Sequence, residues 1–296
     1  MTGRGNWGRW SADDEIGALN LITARHTASA ASLAVTGRVV SLSRVLRHDI
    51  VRVPERAGPT IVLTVDGGDY AAGARVPGGV RTADDFIAMP LATGTHMDSL
   101  AHVWSDEGLY NGHDPNLVRS RGAKACGIDK VAGVVTGGVL ADLPALHGVP
   151  ALPPSYVITA EDLAAATDGR GAAPQPGDAL LIRTGWLGEH GLGGRDGHDL
   201  EREEPGIGRA AAGWIADRDI ALVGADTLGV EVLPAEGGHP GAPLHVELIC
   251  RLGVHLIELL DLEELAGLNA GRFLFIVAPL RIRGAVNSPV NPLAVL

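Results

Sequence analysis

Lysine is almost absent from this chain: Lys124 and Lys130 are the only two in 296 residues, and the formal net charge is -11. Phosphate recognition needs clustered Lys and Arg, so a nucleic-acid partner is excluded and a small-molecule substrate is favoured. The only two cysteines, Cys126 and Cys250, are far apart and flanked by apolar or small residues. They form no disulfide framework and read as reduced core residues of a cytoplasmic protein. Nowhere do about eighteen apolar residues run uninterrupted, as a membrane span requires. Residues 1–10 carry arginines but no apolar leader stretch, so neither membrane insertion nor secretion is expected. GxxxxGK and GxSxG are also missing, which counts against a phosphate loop and a serine nucleophile.

What is present suits an α/β protein. The chain is 46% hydrophobic, with 41 glycines and 18 prolines, enough apolar material for a large core and many tight turns. No composition break divides it, and residues 1–296 are expected to form a single domain with a mixed sheet. Short apolar or alternating runs at 39–46, 60–65, 86–91, 134–143, 179–183, 220–224, 254–258 and 273–278 predict strands. Thr159 caps a helix over 160–167 stopped by Gly169, and Thr23 one over 24–35 stopped by Gly37. The polar, glycine-rich stretch 188–208 reads as a loop, either a flap over a site or a surface excursion.

The most informative stretch is Ala92-Thr93-Gly94-Thr95-His96-Met97-Asp98-Ser99-Leu100-Ala101-His102. His96 and Asp98, two apart, project to the same side of an extended segment, where imidazole and carboxylate can share a cation. His102 joins them if the chain turns into a helix. A second constellation comprises Pro243-Leu244-His245 and Val254-His255-Leu256-Ile257-Glu258. Pro240 and Pro243 place His245 in the first turn of a helix, whose positive end favours a neutral imidazole; Glu258 closes the following strand.

Residues 92–102 resemble the HxGTHxDxPxH signature of the metal-dependent cyclase and hydrolase family that includes bacterial kynurenine formamidase and isatin hydrolase. Gly94, Thr95, His96, Asp98 and His102 fall on signature positions, whereas Ala92 replaces the first histidine and Leu100 the proline. The His245 and Glu258 constellation, Asp261–Leu265, Ala278–Ile282, Ser288–Pro292 and the opening Asn6–Asn20 are also similar to family segments, so the resemblance spans essentially the whole chain. It implies a swivelling β/β/α domain, a homodimer or homotetramer, and bound zinc or manganese. The implied reaction is hydrolysis of the C–N or C–O bond of a cyclic or aryl amide, formamide or lactone by metal-activated water. A polyketide-type cyclase role, by enolisation and ring closure and with less need of metal, is the alternative, and Ala92 adds weight to it. A binding protein that has lost its metal is the third reading.

By resemblance, His96 and Asp98 are metal ligands, with His245 and Glu258 completing a second position or deprotonating water. His102 is the general base or acid, a task suited to imidazole. The other candidates have equally ordinary explanations. Trp104 and Tyr110 could stack on a substrate or fill the core. Arg281 and Arg283 could receive a substrate carboxylate or be solvated. Asp226 could orient a site histidine or form a turn. His113 and His239 are weak substitutes for the histidine missing at Ala92.

Overall fold

The apolar run Ala179–Arg183 is buried on both faces: Ala179 and Leu181 enter one hydrophobic core, Leu180 and Ile182 the other. Such a continuous run suits a central parallel strand covered on both sides. The structure is a computed structural model and describes residues 5–50, 57–168, 172–190, 203–238 and 241–296.

In chain order the strands are β1 (Val39–Ser41), β2 (Thr60–Val65), β3 (Asp84–Ala88), β4 (His96–Asp98), β5 (Val118–Arg119), β6 (Gly122–Ala123), β7 (Val134–Asp142), β8 (Val157–Ile158) and β9 (Ala179–Arg183). They continue with β10 (Gly206–Ile207), β11 (Leu222–Ala225), β12 (His255–Glu258), β13 (Arg272–Val277), β14 (Asn287–Pro289) and β15 (Leu293–Val295). Nine of them form one mixed sheet in the order β1-β15-β13-β7-β9-β11-β12-β4-β14. Its centre, β7-β9-β11-β12, is parallel, and antiparallel strands flank it on both sides. The molecule is thus a mixed α/β domain, as the sequence implied.

Helices α1 (Ala24–Ala31), α2 (Gly67–Ala71), α3 (Leu143–His147), α4 (Ala160–Thr167), α5 (Trp186–His190), α6 (Ala212–Asp217), α7 (Pro243–His245) and α8 (Glu263–Gly267) are short. Thr159 caps α4 as expected, in a capping box with Asp162. Thr23 caps α1, which ends at Ala31 rather than at residue 35. The expected strand over 39–46 stops at Ser41, where the chain has no further pairing with β15. Gly137 and Gly138 in β7 are required by close approach: side chains there would collide with the Asp178–Arg272 ion pair and with the Phe273 ring. Of the 188–208 stretch, residues 191–202 lie outside the described residues, as do Gly169 and His239; Gly206 and Ile207 form β10, not loop. Cys126 and Cys250 are buried free thiols.

Candidate metal centre

Three-residue β4 lies between β12 and β14, and period-two alternation turns His96 and Asp98 to one side and Met97 into the opposite core. The register sets Glu258 opposite His96, and Asn287 opposite Asp98. Two segments remote in sequence are thereby brought to the signature. His96 Nε2 lies 3.6 Å from Asp98 Oδ1 and 3.1 Å from Glu258 Oε2. One ligand atom from each of His96, Asp98 and Glu258 lies within 4.8 Å of the others, the one such group of three among the described residues. All three are buried.

The donor chemistry fits a divalent cation. His96 Nδ1–H donates to the Gly94 carbonyl at 2.8 Å, which points Nε2 at the carboxylates, where a bound cation would take the place of its proton. Among the described residues neither His96 Nε2 nor Asp98 Oδ2 has a hydrogen-bond partner of good geometry, although both are buried. Orphaned buried polar atoms are rare and costly, and a cation between them would satisfy both. One histidine and two carboxylates would leave coordination positions for water and substrate. Burial alone would lower the His96 pKa, but Glu258 and Asp98 outweigh it and raise it to about 9. Burial would raise Glu258, yet His245 and His96 hold its carboxyl well below the usual carboxylate range.

His245 is in the first turn of α7, as expected, but its two carboxylate neighbours favour the charged ring rather than the neutral one that the sequence suggested. Glu231, buried beside it, accepts the N–H groups of Leu244 and His245 at 3.2 Å each and makes a short contact with His245 Nδ1. The positive end of the helix is therefore neutralised by a carboxylate. On its other side His245 Nε2 lies 3.2 Å from Glu258 Oε1. Burial opposes the charge, but the two carboxylates prevail and raise the pKa to about 10. With Nε2 engaged by Glu258, His245 stands behind the His96, Asp98 and Glu258 group rather than in it. Glu258 is grouped with His96 and Asp98, and among the described residues His245 belongs to no group of three such ligand atoms.

The segment after β4 is a tight turn, not a helix: His102 N–H donates to the Ser99 carbonyl at 3.0 Å. The turn still brings His102 Nε2 to 4.0 Å from Asp98 Oδ2, at the partly solvent-exposed edge of the group. Asn287, which no motif marks, donates from Nδ2 to Asp98 Oδ1 in a short contact and to His102 Nδ1 at 3.2 Å. It thus holds His102 with its Nε2 toward Asp98 Oδ2.

Several candidates lie elsewhere. Tyr110 is fully buried, and its hydroxyl donates to Asp14 at 2.8 Å, so it fills the core rather than a substrate pocket. Trp104 is 43% exposed. Arg281 donates to the Asp129 carbonyl at 3.3 Å, away from the cluster. Asp226 accepts from Thr184 and Gly185 and shapes that turn instead of orienting a histidine. His113 contacts the Asp14 carbonyl and does not replace the ligand missing at Ala92. Two carboxylates were missed. Glu231 sits in the apolar run Val230-Glu231-Val232-Leu233, where a lone acid was the available signal. Glu204, in a charged stretch without such a signal, is buried with Oε1 unpartnered, and burial pushes its pKa up to about 8.

A family model described as "Putative cyclase" matches residues 40–232, well over half of the chain. The chain belongs to the cyclase family. The match covers His96, Asp98 and His102 but ends before His245 and Glu258. Those two fall within the likeness to a crystal structure described as a novel cyclase, 36% identical over 99% of both chains with a TM-score of 0.92. The cyclase fold is shared by isatin hydrolase A from Labrenzia aggregata bound to benzyl benzoate, 24% identical, TM-score 0.63, over 91% of this chain and 97% of that one. A potential metal-dependent hydrolase with cyclase activity is 22% identical, TM-score 0.54, over 87% of this chain and 98% of that one. No curated protein matches. No helix among the described residues is long and apolar enough to cross a membrane.

Proposed function

We propose that this cyclase-family protein is a divalent-cation-dependent hydrolase of the C–N or C–O bond of a cyclic or aryl amide, formamide or lactone. The observation that carries this reading is the convergence of two orphaned buried atoms, His96 Nε2 and Asp98 Oδ2, with Glu258. The hydrolase names of the fold's relatives agree with it. His96, Asp98 and Glu258 would hold the cation; one histidine with two carboxylates suits manganese or zinc. When bound, the ion would polarise the scissile carbonyl and lower the pKa of water. His102, the member of the group open to solvent, would move a proton at Nε2 between water and the leaving nitrogen or oxygen, with Asn287 fixing its ring. His245 would hold Glu258 in place.

A second reading, ring closure by enolisation of a carbon acid next to a polarised carbonyl, uses the same groups. Ala92 favours it, because a site with one ligand fewer holds metal less tightly and leaves His102 and Asp98 as an acid and base pair. We also propose that a second copy of the chain covers the β2–β3 ribbon. Among the described residues its strands pair only with each other, and Ile61, Val62, Leu63, Phe86 and Ile87 are all exposed; a lone two-stranded ribbon is marginal in water.

The test is His102→Asn, assayed with formamides, cyclic amides and lactones alongside metal content. The expected result is a loss of about 10²- to 10⁴-fold in kcat with metal content unchanged. Equal activity in the variant would remove His102 from the chemistry.

A further inference from the structure

Glu231 is placed with unusual care for a residue outside the cation group. The residue before it, Val230, has φ +58°, a left-handed conformation that β-branched side chains rarely adopt. That conformation is held by the Ile207 N–H, which donates to the Val230 carbonyl at 3.0 Å, and by the bridge between Ile207 and Glu231. Gly206 passes so close that any side chain there would strike the Glu231 backbone. The result is a fully buried carboxylate with both oxygens in use: Oε2 on the Leu244 N–H, Oε1 on the His245 N–H and Nδ1.

The contacts then run in one direction. His245, held at Nδ1 by Glu231, presents Nε2 to Glu258 Oε1 at 3.2 Å, while Glu258 Oε2 faces His96 Nε2 at 3.1 Å. One oxygen of Glu258 is thereby taken up by His245 and only the other faces His96. From this geometry we infer that Glu231 is a positioning residue for the cation site: acting through His245, it fixes Glu258 as a one-oxygen donor to a divalent cation. The inference rests on the cation reading of His96, Asp98 and Glu258. Partners behind a ligand orient it, and their loss typically weakens metal affinity by about 10- to 100-fold. Glu231 touches neither the cation position nor His102, so its effect passes through His245.

The experiment is a double-mutant cycle on the full chain, read as the Kd for Mn2+ by titration calorimetry and as the shift of Tm with added Mn2+. Glu231→Gln keeps the shape and an accepting oxygen but removes the charge; His245→Gln removes the imidazole between the two carboxylates. Each single variant should bind Mn2+ about 10- to 100-fold more weakly, and the double variant no more weakly than the worse single one, because both break the same chain of contacts. The Tm readout reports folding in the same samples, and His245→Gln alone still carries the test if Glu231→Gln does not fold. Wild-type affinity in Glu231→Gln, or losses that simply add in the double variant, would overturn the inference. A wild-type chain that binds no Mn2+ or Zn2+ would instead overturn the cation reading itself, and this inference with it.

Discussion

At the residue scale, one buried group separates stability from catalysis. His255 lies on β12 with Nδ1 unpartnered, and burial lowers its pKa from 6.5 to about 3, opposed only by the charge of Asp14. It is three residues from Glu258 but on the other face of the strand. The folded chain keeps His255 neutral while the unfolded chain takes up a proton below pH 6.5, so stability present above that pH is lost as pH falls toward 3. The loss from this residue is about 1.4 kcal/mol per pH unit. Denaturant unfolding of wild type and His255→Leu between pH 7 and 5 should show a shallower decline in the variant. Parallel declines would show that His255 is not the acid-sensitive group. Individual site residues were legible to different degrees. His96 and Asp98 are marked by spacing, because residues i and i+2 share a strand face whatever that strand pairs with; His102 was expected on a helix and reaches the group by a turn instead. The charge of His245 was not legible, since it depends on Glu231 and Glu258, which only folding brings to its two ring nitrogens.

At the scale of elements, local signals worked where the determinant is local. Thr159 and Asp162 form a capping box within four residues, and the start of α4 follows from it. Thr159→Ala should therefore cost about 1 kcal/mol of stability, read as a lower denaturant midpoint at unchanged slope, with no change in metal content. A loss within error would show that the cap contributes nothing in this context. The end of β1 and the turn at 99–102 were not legible, because strand length is set by the partner, β15, and the turn by the Ser99 carbonyl. The register of β4 against β12 and β14 is the decisive event for the site. A one-residue slip would send His96 and Asp98 into the core and Met97 into the cleft. Nothing within 92–102 encodes that register. It depends on the partner strands β12 and β14, which are remote in sequence.

At the scale of the whole molecule, the mixed α/β architecture followed from interleaved apolar runs and turns, and its two cores on either side of the sheet account for the both-faced burial of β9. The β2–β3 ribbon is the exception, with apolar side chains exposed along both strands. If a second copy covers it, light scattering after size exclusion should give a mass of at least two chains for wild type and a lower mass for Leu63→Asp. A monomeric wild type would contradict the assembly. The central claim concerns the cation. The most direct test is moles of metal per chain in protein purified without added metal or chelator, then after dialysis against Mn2+ or Zn2+. One group of His96, Asp98 and Glu258 predicts about one equivalent, lost in Asp98→Ala. No metal after reconstitution, or the same content in Asp98→Ala, would contradict the account and move the weight to metal-free ring closure.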